Sequence, residues 1–190
     1  MNFLKRLYTW TLIKAENKNA KWYLILVSFS ESSFFPIPPD ILLIPMVIAS
    51  KVKTFFYAFI CTASSVVGGI VGYGIGYYFY NSVGLYIVEF YHLQNSFQQF
   101  ENYYIEFGIL IVLGAGITPF PYKFITIASG VFGLNIFLFI IVSIIGRGSR
   151  FYLIAVLLYF FGERIRLIID KYFNILTIAF FILLVGSVFI

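Results

Sequence analysis

The chain has 190 residues, of which 61% are hydrophobic and only 11% charged, with a net charge of +5. A soluble domain usually carries about a quarter of its residues as charges, so this composition excludes an ordinary water-soluble globule and points to lipid as the main solvent. Lys and Arg gather between apolar stretches, which is the pattern of membrane orientation rather than of nucleic-acid binding.

Residues 1–21 lack the clean apolar run of a secretory signal. Phe3, Leu4, Leu7, Tyr8 and Leu12 can share one side of a helix, with Lys5, Lys14 and Lys18 largely elsewhere. This predicts an amphipathic N-terminal segment lying on the membrane. Residues 22–30 are apolar, Glu31 follows, and Pro36, Pro38 and Pro39 then interrupt the chain just before Asp40. Each proline lacks an amide donor and disfavours helix in the residue before it. Residues 41–50 are apolar again. Each arm is about 10 residues, or roughly 15 Å as helix, half of a bilayer core of about 30 Å. Residues 22–50 therefore read as a re-entrant helical hairpin, a form tolerated at membrane depth where protein or a watery cavity surrounds it.

Residues 55–80 are long enough to span. Gly68, Gly72 and Gly76 recur every four residues along them and give one bare face for close helix packing. The same glycines do not make a phosphate loop, because no Lys-Ser or Lys-Thr follows them. Residues 81–104 hold no Lys or Arg and read as a loop or interfacial helix, with His92 as an ordinary interfacial histidine. Cys61 is the only cysteine, so no disulfide framework or thiol metal site is expected. Residues 105–133 repeat the earlier pattern, with two short apolar arms around Pro119 and Pro121. Residues 134–161 form a long apolar segment containing Arg147 and Arg150. Arg164, Arg166 and Lys171 then read as a basic loop, and residues 172–190 as a C-terminal transmembrane helix.

The positive-inside rule places the N-terminus, Lys51, Lys53, Arg164, Arg166 and Lys171 together on the cytoplasmic side. The two hairpins then enter from opposite faces, each ahead of a spanning helix, as in the inverted repeats of secondary transporters. A short trace of this is visible, since Pro36, Pro38 and Asp40 align with Pro119, Pro121 and Lys123 at an offset of 83 residues. The expected fold is an all-α integral membrane protein, a helical bundle with two opposed re-entrant hairpins.

Glu31, Asp40, Lys123, Arg147 and Arg150 lie in or beside apolar stretches. A lone charge at the bilayer centre costs about 2.5–3.5 kcal/mol on an insertion scale, so pairing or hydration is expected. Asp40 with Lys123, at the two hairpin tips, and Glu31 with Arg147 or Arg150 are the expected pairs. Arg and Lys suit an anionic lipid head group, and helix N-termini beside the breaks add positive dipole ends. Carboxyl groups withdrawn from water bind protons more readily, so Glu31 and Asp40 are candidates for proton coupling. The sequence shows no nucleophile–base pair and no metal-ligand cluster, so no enzyme activity, cofactor or metal is expected.

Several of these motifs occur together in a known family. Glu31 ahead of Phe35-Pro36-Ile37-Pro38-Pro39-Asp40, the run Gly72-Tyr73-Gly74-Ile75-Gly76, and Thr118-Pro119-Phe120-Pro121-Tyr122-Lys123 ahead of Ala128-Ser129-Gly130 together resemble the DedA family (SNARE-associated Golgi protein group, VTT domain). The Pro-Phe-Pro-Tyr-Lys and Gly-Arg-Gly-Ser-Arg-Phe runs resemble its YqaA-like branch. The resemblance covers residues 25–165. It implies two facing re-entrant hairpins and a flippase or scramblase moving phospholipid or polyprenyl-phosphate across the bacterial inner membrane, often with proton coupling. The family's acidic pair would fall on Glu31 and Asp40. Of its two arginines around a proline in the second hairpin, the second matches Lys123. The first has no basic counterpart at Gly116, Ile117 or Thr118, and Arg147 or Arg150 would supply it. A small-solute or ion transporter of the same architecture and a non-transporting membrane scaffold are the alternatives. The bare glycine face allows packing within one chain or between copies in a homo-oligomer.

Overall fold

The computed structural model describes residues 19–34, 38–90, 94–118 and 120–186. The amphipathic segment expected over 1–21 lies almost wholly outside these residues, as do Pro36, Pro119 and His92. Among the described residues the chain is helical and contains no strand. Three stretches, Lys51–Phe79, Phe97–Ile117 and Ile136–Gly162, are long and apolar enough to cross a membrane. The described residues are thus all-helical, with three helices that have the length and composition of membrane spans.

Helix α1 (Ala20–Ser33) stops just ahead of the first proline cluster, where the Phe34 amide still reaches the Ser30 carbonyl. Helix α2 (Asp40–Ala49) opens directly after Pro38 and Pro39, with Pro39 as its N-cap and the Asp40 carboxylate in its first turn, where the helix dipole favours an anion. Pro45 lies inside α2 and leaves one carbonyl of that short helix without its usual amide partner. A single 3-10 turn, Lys51–Lys53, leads into α3 (Thr54–Phe79). A wide turn at Tyr80–Gly84 and a short helix α4 (Leu85–Phe90) precede α5 (Gln94–Ile117). Helix α6 (Tyr122–Val131) opens after Pro121, and α7 runs from Ile136 to Gly186.

Two stretches differ from the sequence reading. The first arm of the expected second hairpin, residues 105–118, is the inner part of the 24-residue α5. Between Gln94 and Phe107 there is no Gly or Pro, and the Gln and Glu residues there favour helix, so polarity alone did not end it. Nor is the basic stretch Arg164–Lys171 a loop: α7 continues through it without a break for 51 residues, about 76 Å at 1.5 Å per residue. Lys and Arg are good helix formers, and residues 163–185 hold no Gly or Pro.

The glycine face of α3 packs within the chain. A Cβ on Gly68 would stand 2.1 Å from the Phe29 carbonyl oxygen of α1, and one on Gly76 would stand 2.0 Å from the Ile127 carbonyl oxygen of α6. Helix α3 thus lies in backbone contact with both α1 and α6. Around it are two apolar clusters. One gathers Leu24, Leu43, Met46, Ala58, Cys61, Phe151 and Ala155, and the other gathers Val112, Tyr122, Phe139 and Val142. Large apolar side chains on the other faces, such as Phe55, Phe59, Val67, Phe137, Ile141 and Leu153, are exposed, as a lipid-facing surface requires.

Candidate functional site

Four of the five membrane charges sit in two ion pairs, both anchored on α7. Arg147 and Arg150 are three residues apart and so share one helix face. Each of them takes one carboxylate from the two sides of the first helix break.

The inner pair is sealed. Arg147 Nη2 donates to Glu31 Oε2 at 2.5 Å, and its Nε donates to Ser65 Oγ at 2.6 Å. The Ser65 and Ser32 hydroxyls are 2.7 Å apart, and Ser32 Oγ donates back to Glu31 Oε2 at 3.2 Å. Glu31, Arg147, Ser65 and Ser32 thereby close a ring that ties α1, α3 and α7 together. The guanidinium also lies over two aromatic rings, 5.0 Å from the centre of Tyr122 and 4.7 Å from that of Phe151. The Tyr122 hydroxyl is itself held 2.6 Å from Ser143 Oγ. The side chains of Arg147 and Glu31 are only 1% and 11% exposed.

The outer pair is open. Arg150 Nη2 donates to Asp40 Oδ2, and the two side chains are 15% and 18% exposed. Arg150 Nη1 donates to the Thr118 carbonyl at 2.7 Å, where α5 has just ended. Arg150 therefore touches both helix breaks, taking a carboxylate at the first and a backbone oxygen at the second. Asp40 Oδ1 has no hydrogen-bond partner among the described residues.

Lys123 does not meet Asp40, which corrects the pairing expected from the aligned prolines. Helix α2 packs on α7 and α3, whereas α6 packs on α3, α5 and α1, so Asp40 faces the arginine helix instead. Lys123 is the second residue of α6, partly exposed, with its Nζ 5.3 Å from the centre of the Phe124 ring. Among the described residues it makes no ion pair. Its neighbour Thr126 joins the two halves of the bundle: Thr126 Oγ1 donates to the Ser32 carbonyl of α1 at 2.9 Å.

The structure thus brings Glu31, Asp40, Arg147 and Arg150 together and leaves Lys123 apart, just past the second break. Pro38, Pro39 and Pro121 lie at helix starts, with Pro39 buried. Ser32, Ser65 and Tyr122 complete the polar cluster and were not singled out from sequence. A hydroxyl in an apolar helix signals little alone, because it can equally bond its own backbone, as Ser64 does to Ile60. No group of three or more His, Cys, Asp or Glu placed to hold a metal is found among the described residues.

No family model matches the chain, and no solved structure matches it. An uncharacterized protein of Haemophilus influenzae is 34% identical over 190 residues, spanning 100% of this chain and 98% of the relative. An uncharacterized protein of Histophilus somni, described as an HI0703 homolog, is 36% identical over 164 residues, covering 86% of this chain and 85% of its own length. The chain belongs to the family that these two proteins share.

Proposed function

We propose that the protein moves anionic lipids, phospholipid or polyprenyl-phosphate, across the bacterial inner membrane, as a member of the DedA group that its motifs resemble. The observation that carries this reading is Lys123. Two carboxylates and two guanidiniums in the bundle compensate one another, and Lys123 at the α6 start is left as a partly exposed cation without a protein counter-ion among the described residues. Arg150 borders the same break through the Thr118 carbonyl. An ammonium and a guanidinium flanking a helix N-terminus form a setting that favours a phosphate group.

The inverted-repeat reading has support in the order of elements. Ser33 and Ile117, Asp40 and Tyr122, Ala49 and Val131, and Thr54 and Ile136 are paired helix boundaries lying 82–84 residues apart. In this reading each helix–break–helix unit is a re-entrant hairpin, the two enter from opposite faces, and α3 and α7 are the spanning helices that follow them. Lys51, Lys53 and Arg164 lie on the cytoplasmic side. Proton uptake at Glu31 or Asp40 would couple movement to a gradient.

The test is reconstitution into liposomes carrying fluorescent phosphatidylglycerol, with a membrane-impermeant quencher outside. Wild-type protein is expected to expose inner-leaflet label faster than protein-free liposomes do, and Lys123→Gln to lose most of that gain. Label movement no faster than in empty liposomes ends the reading. Solute uptake without lipid movement would instead favour the solute transporter, and silence in both assays the scaffold.

A further inference from the structure

We propose that Asp40 is a built-in competitor for the anion site: its carboxylate occupies the guanidinium nitrogen of Arg150 that an anionic phosphate group takes when it binds. The proposal rests on the reading of the site above and adds how the site is kept closed when empty.

The two ion pairs differ in the features that decide whether a partner can be exchanged. The Glu31–Arg147 pair is enclosed, with Arg147 Nε and Nη2 both answered by side chains, two rings against the guanidinium, and a serine bridging back to the carboxylate. An incoming anion has no route to Arg147 at 1% exposure. The Asp40–Arg150 pair has no ring stacked on it and no bridging hydroxyl among the described residues. Its carboxylate is held through Oδ2 only, with Oδ1 left without a hydrogen bond. Both side chains reach the surface of the bundle.

Arg150 is also fixed where a competitor would need it. Its Nη1 stays on the Thr118 carbonyl at the start of the second break, and Lys123 lies just past that break's end. A phosphate group that takes Arg150 Nη2 would stand where the Asp40 carboxylate now does, while Nη1 stays on the Thr118 carbonyl. Phosphate presents more acceptor oxygens than the single one Asp40 uses, and an arginine fork suits two of them at once. Exchange moves the guanidinium from an internal carboxylate to a ligand, and removal of the carboxylate favours the ligand.

The sign of the effect distinguishes this from a purely structural ion pair. A structural pair, once broken, loosens the site and weakens binding. A competitor, once removed, tightens it. The experiment measures binding of phosphatidylglycerol, with phosphatidylcholine as the uncharged-balance control, to the full chain in detergent by native mass spectrometry. Asp40→Asn is expected to bind phosphatidylglycerol more tightly than wild type, by a factor within the roughly 5- to 150-fold range usual for coupled sites. Asp40→Ser, which keeps a residue suited to a helix start, is expected to do the same and guards against misfolding of the amide variant. Thermal melting in the same detergent reports folding. Adding Arg150→Gln to either variant removes the gain. Glu106→Gln deletes an equal charge on the exposed side of α5 and leaves affinity unchanged. Equal or weaker binding by folded Asp40→Asn and Asp40→Ser, with wild type binding normally, overturns the competitor and leaves the lipid reading standing. Absence of phosphatidylglycerol binding in all forms overturns both. Binding of inorganic phosphate with the same Asp40 dependence, and no lipid binding, keeps the competitor and replaces the lipid by free phosphate.

Discussion

Arg147 shows what a charge needs in order to live inside an apolar bundle. A guanidinium at 1% exposure has given up its water, and removing one member of such a pair leaves the other charge buried alone, at a cost of about 3–5 kcal/mol. Arg147→Met is therefore expected to lower the melting temperature of the purified protein sharply, because it leaves the buried Glu31 side chain with Ser32 as its remaining partner among the described residues. The double variant Glu31→Leu with Arg147→Met removes both charges and is expected to recover much of the loss, since well-packed apolar groups often replace a buried pair at little cost. A single variant as stable as wild type would mean that Glu31 is answered by something other than Arg147. All five of these charged positions were visible in the sequence, because a charge inside an apolar run stands out by composition. Their pairing was legible only in part: Glu31, expected on Arg147 or Arg150, is on Arg147, whereas Asp40, expected on Lys123, is on Arg150. Pairing depends on how far each helix is rotated about its axis and on which helix lies beside it, and the aligned prolines of Asp40 and Lys123 carry no information about either.

At the scale of the element, the backbone itself is the contact surface. On the Gly68–Gly72–Gly76 face of α3, Gly68 and Gly76 are pressed against carbonyls of α1 and α6, so a side chain at either must displace main chain, while Gly72 meets the Thr126 hydroxyl and the Ser32 carbonyl. Gly68→Val is expected to destabilise the protein by at least the roughly 1–3 kcal/mol of an overpacked core, seen as a lower melting temperature and weaker α1–α3 association. Gly74, two residues past Gly72, has nothing within 4 Å of a built Cβ. Gly74→Ala is expected to be neutral or stabilising by up to about 1 kcal/mol through helix propensity alone. Equal losses at the two positions would show that glycine serves α3 through flexibility and not through contact. The four-residue glycine spacing was legible as a packing face, but not whether the face met its own chain or another copy. The proline breaks were equally legible, since Pro38, Pro39 and Pro121 each sit at a helix start. Helix length away from proline was less so: residues 81–104 read as a loop or interfacial helix and 164–171 as a basic loop, yet neither 94–104 nor 164–171 holds a residue that stops a helix.

The whole molecule turns on one parity question that the lengths of α5 and α6 pose. Helix α5 has 24 residues, about 36 Å, and contains a stretch long enough to cross the membrane. Helix α6 has 10 residues, about 15 Å, and is too short to cross back alone. If the unit from α5 to α6 dips in and returns, α7 begins on the side where α5 began and carries Arg164 to the side of Lys53. If α5 crosses completely, α7 begins on the far side and Arg164 ends opposite Lys53. The excess of Lys and Arg on cytoplasmic loops favours the first arrangement, since it unites Lys51, Lys53 and Arg164 on one face. Cysteines placed at Lys53, Asn95 and Arg164, all exposed positions, separate the two. The native Cys61 is fully buried and adds no background. A membrane-impermeant maleimide applied to sealed vesicles of one orientation is expected to label Lys53→Cys and Arg164→Cys alike, and Asn95→Cys only in vesicles of the opposite orientation. Labelling of Arg164→Cys together with Asn95→Cys would make α5 a full crossing and remove the inverted symmetry.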